Sequence, residues 1–136
     1  MTIETIRLSE KAKIYLVMLK RKTGIINWNV LCRWAFCVSL NDSSIPPTEK
    51  LQTDSSIEMT WKVFGGTHAD VYFALLVQRC KQDGFELSPK ILNEQFKLHI
   101  HRGIAYLANN PKLTNISALL KLTTAQSVFS EQESKL

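Results

Sequence analysis

The residues of this 136-residue chain with catalytic or metal-binding chemistry are spaced so that they do not work together. His99 and His101 suit a metal by type, but two residues apart on a helix they point about 200° apart and cannot grip one ion. His99 falls on the apolar side of its segment and reads as a core histidine, whereas His101 reads as solvated. Cys32 and Cys37 are about 140° apart round a helix and lack the spacings of a zinc knuckle, so they read as small buried hydrophobes. With Cys80 they make an odd number of thiols, which fits a reducing cytoplasm and excludes a disulfide framework. Gly65-Gly66 is followed by Thr67-His68, which excludes a Walker phosphate loop, and there is no nucleophile elbow or His-Glu-x-x-His pair. Asp54, Glu58 and Cys80 stand alone. No catalytic residue, metal or cofactor is expected.

The chemistry left is that of cations toward phosphate. Net charge is +5, and its distribution is uneven. Residues 1 to 40 hold seven Lys or Arg against two Glu, residues 41 to 84 four against six acids, and residues 85 to 136 six against four. A basic N-terminal third points to a polyanion, most often nucleic acid. Lys11, Lys13, Lys20, Arg21 and Lys22 are the candidate phosphate contacts, with Arg7 and Arg33 as outer candidates. Trp28, Trp34 and Trp61 are possible stacking platforms. Trp34 lies in an all-apolar stretch and reads as core, while Trp28, beside a cap, and Trp61, on an edge, are open to either role.

These side chains need elements to carry them. Residues 3 to 8 alternate, with Ile6 and Leu8 opposite Thr5 and Arg7, as in a short strand. Ser9 caps a helix running to about Lys22, which Gly24 stops. Ala12, Tyr15, Leu16 and Leu19 form one apolar stripe on it, and Ile14, Val17 and Met18 lie mostly on the other side, so this helix needs two partners. Lys11 and Lys22 lie on one flank between the faces, Lys13 and Lys20 on the other. Asn27 or Asn29 caps a second helix through Leu40, whose only charge is Arg33 and which has to be buried all round. Copies from other subunits could surround it, as could the C-terminal helices of its own chain. The first reading makes the protein a homo-oligomer that meets its copies through Ile14, Val17, Met18, Leu31, Trp34, Phe36 and Val38.

Residues 41 to 56 have the turn and extended-chain chemistry of a long connector. Ile57 to Val63 alternate as a possible strand ending at Gly65-Gly66. Thr67 and Asp70 resemble a capping box opening a helix from about His68 to Asp83, which Gly84 stops. Ser88-Pro89 opens an amphipathic helix with Leu92, Phe96, His99, Gly103 and Tyr106 on one face and Lys90, Glu94, Lys97 and His101 on the other. Past Asn109-Asn110-Pro111 a short helical segment, Ile116 to Leu122, precedes an end that is expected to fray. The fold class is mainly α, about four helices with a short N-terminal extended segment and a short strand near 57–63. No stretch reaches the roughly 18 apolar residues of a membrane span. Charges at Glu4, Arg7, Glu10, Lys11 and Lys13 interrupt any signal-peptide core. A cytoplasmic protein is expected.

The order of strand, helix, Gly turn and apolar helix over residues 3 to 40 resembles the ribbon-helix-helix family of DNA-binding dimers, which implies Thr5 and Arg7 as strand residues facing DNA. A longer resemblance covers residues 5 to 107. Arg7-Leu8-Ser9, Lys11-Ala12-Lys13, Thr23 to Ala35 (Thr-Gly-Ile-Ile-Asn-Trp-Asn-Val-Leu-Cys-Arg-Trp-Ala), Ile45-Pro46-Pro47, Ile57 to Lys62 and Phe64-Gly65-Gly66 resemble DndE, a small protein of bacterial DNA phosphorothioation. Ala74-Leu75-Leu76, Gln78 to Lys81 and Phe96 to Leu107 extend the match. The resemblance implies a non-enzymatic accessory protein, working with partners that replace a non-bridging backbone oxygen by sulfur. It implies an oligomer, a tetramer, that binds duplex and nicked DNA through surface lysines. Residues 1–110 are then the DndE-like helical DNA-binding domain and 111–136 a partly disordered extension. Two other readings are a repressor that reads bases through Thr5 and Arg7 and a scaffold that ignores DNA.

Overall fold

The computed structural model describes residue 3 and residues 5–121. Ser9 Oγ accepts the Ala12 amide at 3.1 Å and opens α1 (Glu10–Thr23), which ends on basic residues 20 to 22 with Gly24 in the left-handed region, φ 75°. Local capping chemistry sets both ends, as expected. Ahead of it β1 (Thr5–Arg7) buries Ile6 and exposes Thr5 and Arg7. Its partner is β2 (Glu58–Thr60) of the same chain, antiparallel, with Thr5 opposite Thr60, Ile6 opposite Met59 and Arg7 opposite Glu58.

The strand expected over 57–63 is cut short at Thr60. The Thr60 hydroxyl accepts the Val63 amide at 3.1 Å and starts α3 (Trp61–Gly65), so Trp61 is a helical residue and not an edge-strand one. The expected Thr67–Asp70 capping box does not form. A 3-10 turn (Gly66–His68) leads into α4 (Ala69–Gln82), whose N-cap His68 makes no side-chain cap bond. Ser88 Oγ accepts the Ile91 amide at 3.2 Å at the head of α5 (Pro89–Ala108), where proline costs no bond. Five helices and a two-stranded sheet stand among the described residues, and a further helical segment spans 116–121. Leu113 and Leu119 are buried in the core. The expected frayed end, from 122 on, lies outside the described residues.

α2 (Trp28–Asn41) begins at Asn27, which makes no side-chain cap bond, and Asn29 instead donates to the Val63 carbonyl at 3.2 Å. Its own chain surrounds most of it. Leu31, Cys32, Ala35 and Phe36 are buried, and Trp34, Val38 and Leu40 are partly buried against the same core. Phe36, Phe64 and Phe96, from α2, α3 and α5, meet edge to face with centroids 5.8, 5.2 and 4.9 Å apart. Expecting α2 to need other copies is therefore corrected: α5 and α3 cover it. Leu31 and Phe36 have no surface left to meet another subunit, and Cys37, expected inside, is exposed.

Candidate nucleic-acid interface

α1 turns Ala12, Leu16, Leu19 and Thr23 into the core, which leaves its opposite side in solvent. Ile14, Val17 and Met18 are 61%, 36% and 37% exposed there, in an apolar groove of about 350 Å³ that Arg21 and Lys22 also line. The lysines flank this crest as the helical spacing requires. On one flank Lys13 Nζ donates to Ser56 Oγ at 2.7 Å, and Lys20 Nζ sits 5.2 Å from the Trp28 ring centroid. On the other, Lys11 Nζ sits 5.8 Å from the Tyr15 ring. Among the described residues none of Lys11, Lys13, Lys20, Arg21 and Lys22 has an acidic partner. Their charge is uncompensated and close to water.

The outer candidates lie elsewhere. Arg7 is committed within its own sheet, paired with Glu58 and donating to the Ser55 carbonyl at 3.0 Å. Arg33 lies against the Gly65-Gly66 turn, where a Cβ added at Gly66 would come 2.9 Å from its Nη1. Trp28 borders a groove of about 420 Å³ with Lys13, Asn29 and Val63. Trp61 packs its ring 4.8 Å from Phe96 and belongs to the aromatic core.

A second polar cluster was not visible in the spacing. α2 ends without a basic residue in its last turn and without a left-handed glycine stop. Two distant arginines supply the donors. Arg79, 5% exposed, donates to the carbonyls of Leu40, Asp42 and Ser44 at 2.9, 2.8 and 2.6 Å and pairs with Asp83 at 2.9 Å. Arg102 donates to the Ser39 carbonyl at 2.7 Å, the Ser39 hydroxyl at 2.9 Å and the Ser44 carbonyl at 3.0 Å. Tyr106, expected on the apolar face, is exposed and donates to Asp42 at 2.6 Å. That bond, with those from Ser44, holds the Asp42 carboxyl well below the usual range. The signal was the uncapped end of α2, whose carbonyls require donors from somewhere.

His99 and Ser39 lie within this cluster, with Ser39 Oγ 2.8 Å from His99 Nδ1. Both residues are fully buried, so the pair faces no substrate. Burial and the nearby Arg79 and Arg102 charges push the His99 pKa down to about 4. His101, expected in solvent, is fixed instead: its Nδ1 donates to the Lys97 carbonyl at 2.7 Å and its Nε2 accepts the Ser9 amide at 3.1 Å. Burial also pushes the Cys32 thiol up to about 12 and Cys80 to about 11, which keeps both protonated and weakly nucleophilic. Among the described residues no three His, Cys, Asp or Glu side chains converge as a metal site. No described helix is long and apolar enough to cross a membrane.

What this arrangement offers chemically is a set of cations on one helix with no acidic partner among the described residues. The family described as DndE, DNA sulphur modification protein DndE, matches residues 5–115, from β1 past the end of α5. Similar in structure is DndE from Escherichia coli B7A, involved in DNA phosphorothioation modification: identity is 25%, covering 79% of this chain and 98% of that one, with a TM-score of 0.65. A lysine-substituted mutant of DndE involved in DNA phosphorothioation is also similar, at 24% identity with the same coverages, 79% and 98%, and a TM-score of 0.61. No curated protein matches the chain. The matched span holds β1, α1 with its lysines, and the Arg79 and Arg102 cluster, and the chain belongs to the DndE family of DNA sulphur modification proteins.

Proposed function

We propose that this protein is a non-enzymatic subunit of the DNA phosphorothioation machinery, which assembles as a homo-oligomer, a tetramer, and holds duplex DNA, nicked duplex included, through lysines of α1. Membership of the DndE family supports the place in the machinery, as does the phosphorothioation role given for the similar Escherichia coli protein. The observation that carries DNA binding is the α1 surface itself: Lys11, Lys13, Lys20 and Lys22 flank one exposed crest, and no acidic side chain among the described residues is paired to any of them. Such cations attract phosphate without reading sequence, and repetition in an oligomer multiplies a modest patch. Base reading by β1 is disfavoured, because Arg7 is held by Glu58 and Ser55.

The test is a fluorescence-anisotropy titration of the protein against intact and singly nicked duplex of arbitrary sequence. Replacing Lys13 and Lys20 together by Glu is expected to weaken binding to every duplex alike. Undiminished affinity in that variant would move the contact off α1, and no binding by the native protein at low salt would favour a protein scaffold.

A further inference from the structure

Trp28 and Trp61 differ in what covers their rings. Trp61 packs against Phe64, Phe73 and Phe96. Trp28, the first residue of α2, has no aromatic neighbour among the described residues and is only partly buried against the core. What stands over its ring is the Lys20 ammonium, 5.2 Å from the centroid. An ammonium is strongly hydrated and its stem is flexible, so another group can displace this cover. The indole N–H makes no hydrogen bond among the described residues and is not shut off from solvent.

The ring borders a groove of about 420 Å³, walled by β2, the head of α2 and Lys13 of α1. The groove combines an aromatic face with two cations, Lys13 in its wall and Lys20 over the ring. Its one acidic lining residue, Glu58, is already paired with Arg7, so the lysines set the sign of the field. The Asn27 side chain, also in the lining, makes no hydrogen bond among the described residues and is free to meet a polar edge. An apolar protein segment seated here would desolvate Lys13 and Lys20 without supplying an anion. A nucleotide supplies both a ring for Trp28 and a phosphate for the lysines.

We propose that this groove holds an unpaired base of duplex DNA, stacked on Trp28 where the Lys20 ammonium stands in the free protein, with Lys13 and Lys20 turned to the phosphates of the same strand. A paired base is stacked within the duplex and offers no face to the ring, whereas an unpaired one swings out at little cost. Stacking accepts any base, because every base has a π-face. The proposal rests on the DNA-binding reading above and adds to it a site for a base.

The test is an anisotropy titration with three duplexes of one surrounding sequence: fully paired, with a single-nucleotide bulge, and with that bulged nucleotide made abasic. The abasic duplex keeps the backbone charge of the bulge and lacks only the base. The native protein is expected to bind the bulged duplex about tenfold more tightly than the abasic one, as one stacked base contributes. Trp28→Leu fills apolar volume without a π-face and is expected to bring that ratio within about twofold of one, while Trp28→Phe keeps about threefold. Circular dichroism melts show whether each variant is folded. The abasic comparison uses the native protein, so it tests the site even where Trp28→Leu does not fold, and the milder Trp28→Phe then assigns the base to the ring. Equal native affinity for bulged and abasic duplexes would overturn the base site and leave phosphate binding standing. A Trp28→Leu protein that melts as the native does and keeps the full ratio would overturn it too. No binding to any of the three duplexes would remove the DNA-binding reading and the base site with it.

Discussion

Gly103 of α5 lies directly on Ala35 of α2: a Cβ added at Gly103 would come 1.7 Å from the Ala35 carbonyl oxygen. The obstacle is backbone, which cannot swing aside as a side-chain tip can, so the two helices can approach this closely only with glycine at the contact. The same approach brings Ser39, one turn along α2, to His99 and Arg102.

Gly103→Ala sets two effects against each other. Removing a glycine from a helix interior favours the helix by about 1 kcal/mol. Forcing α5 off α2 opens the Phe36–Phe96 contact and the Ser39 hydrogen bonds, and overpacking against fixed backbone costs about 3 kcal/mol, the upper end of the usual range. The clash wins, and a net loss of about 2 kcal/mol is expected in urea unfolding. An unchanged or raised midpoint would mean that the helices slide apart freely.

His99 predicts how stability depends on pH. Its folded pKa, about 4, lies below the ordinary 6.5, so the unfolded chain binds the proton first. Stability is full above about 6.5 and falls as pH drops toward 4, with roughly 2 kcal/mol lost between pH 7 and 4.5. His101 is shifted in the same direction and adds to the native slope, while Asp42, held low, loses its contribution only below the usual carboxylate range. The informative quantity is therefore the difference between the native protein and His99→Gln, which keeps a polar partner for Ser39. Denaturation at the two pH values should show the native protein losing about 2 kcal/mol more than the variant. Equal losses would mean that His99 is not the titrating group.

Features legible in the sequence were those whose physics is local. Ser9, Gly24 and Ser88-Pro89 cap or stop helices within a turn of themselves, and each stands where the pattern put it. The lysine flanks of α1 were also legible, because helical spacing alone places them. α3 was not, since Ile57 and Met59 alternate as a strand until the Thr60 hydroxyl captures the Val63 amide. The Arg79 and Arg102 cluster escaped for another reason. Arg79 bonds a carbonyl 39 residues back and Arg102 one 63 residues back, and backbone acceptors have no residue type to recognise. The burial of α2 is legible in kind, but periodicity shows that a face needs cover and not which chain supplies it, so the choice between other copies and the chain's own C-terminal helices came only with α3 and α5 in place.

The lysine flank makes a prediction in the salt dependence of binding that charge reversal cannot isolate. Each phosphate neutralised contributes about 0.9 to the slope of log affinity against log salt, through released counterions. Lys20→Gln removes one cation without introducing repulsion and is expected to lower the slope by about 0.9 for each subunit whose α1 touches the duplex. Lys20 Nζ is 5.2 Å from the Trp28 ring, a contact the substitution removes, so the control is the whole fold and not that ring. The circular dichroism spectrum and melting midpoint should stay at their native values, which reports that the helices are intact. The drop should be equal for unrelated sequences, since a phosphate contact carries no base preference. A slope that does not move, with the melting midpoint unchanged, would mean that Lys20 is a solvated surface charge and that the DNA lies against another part of the protein.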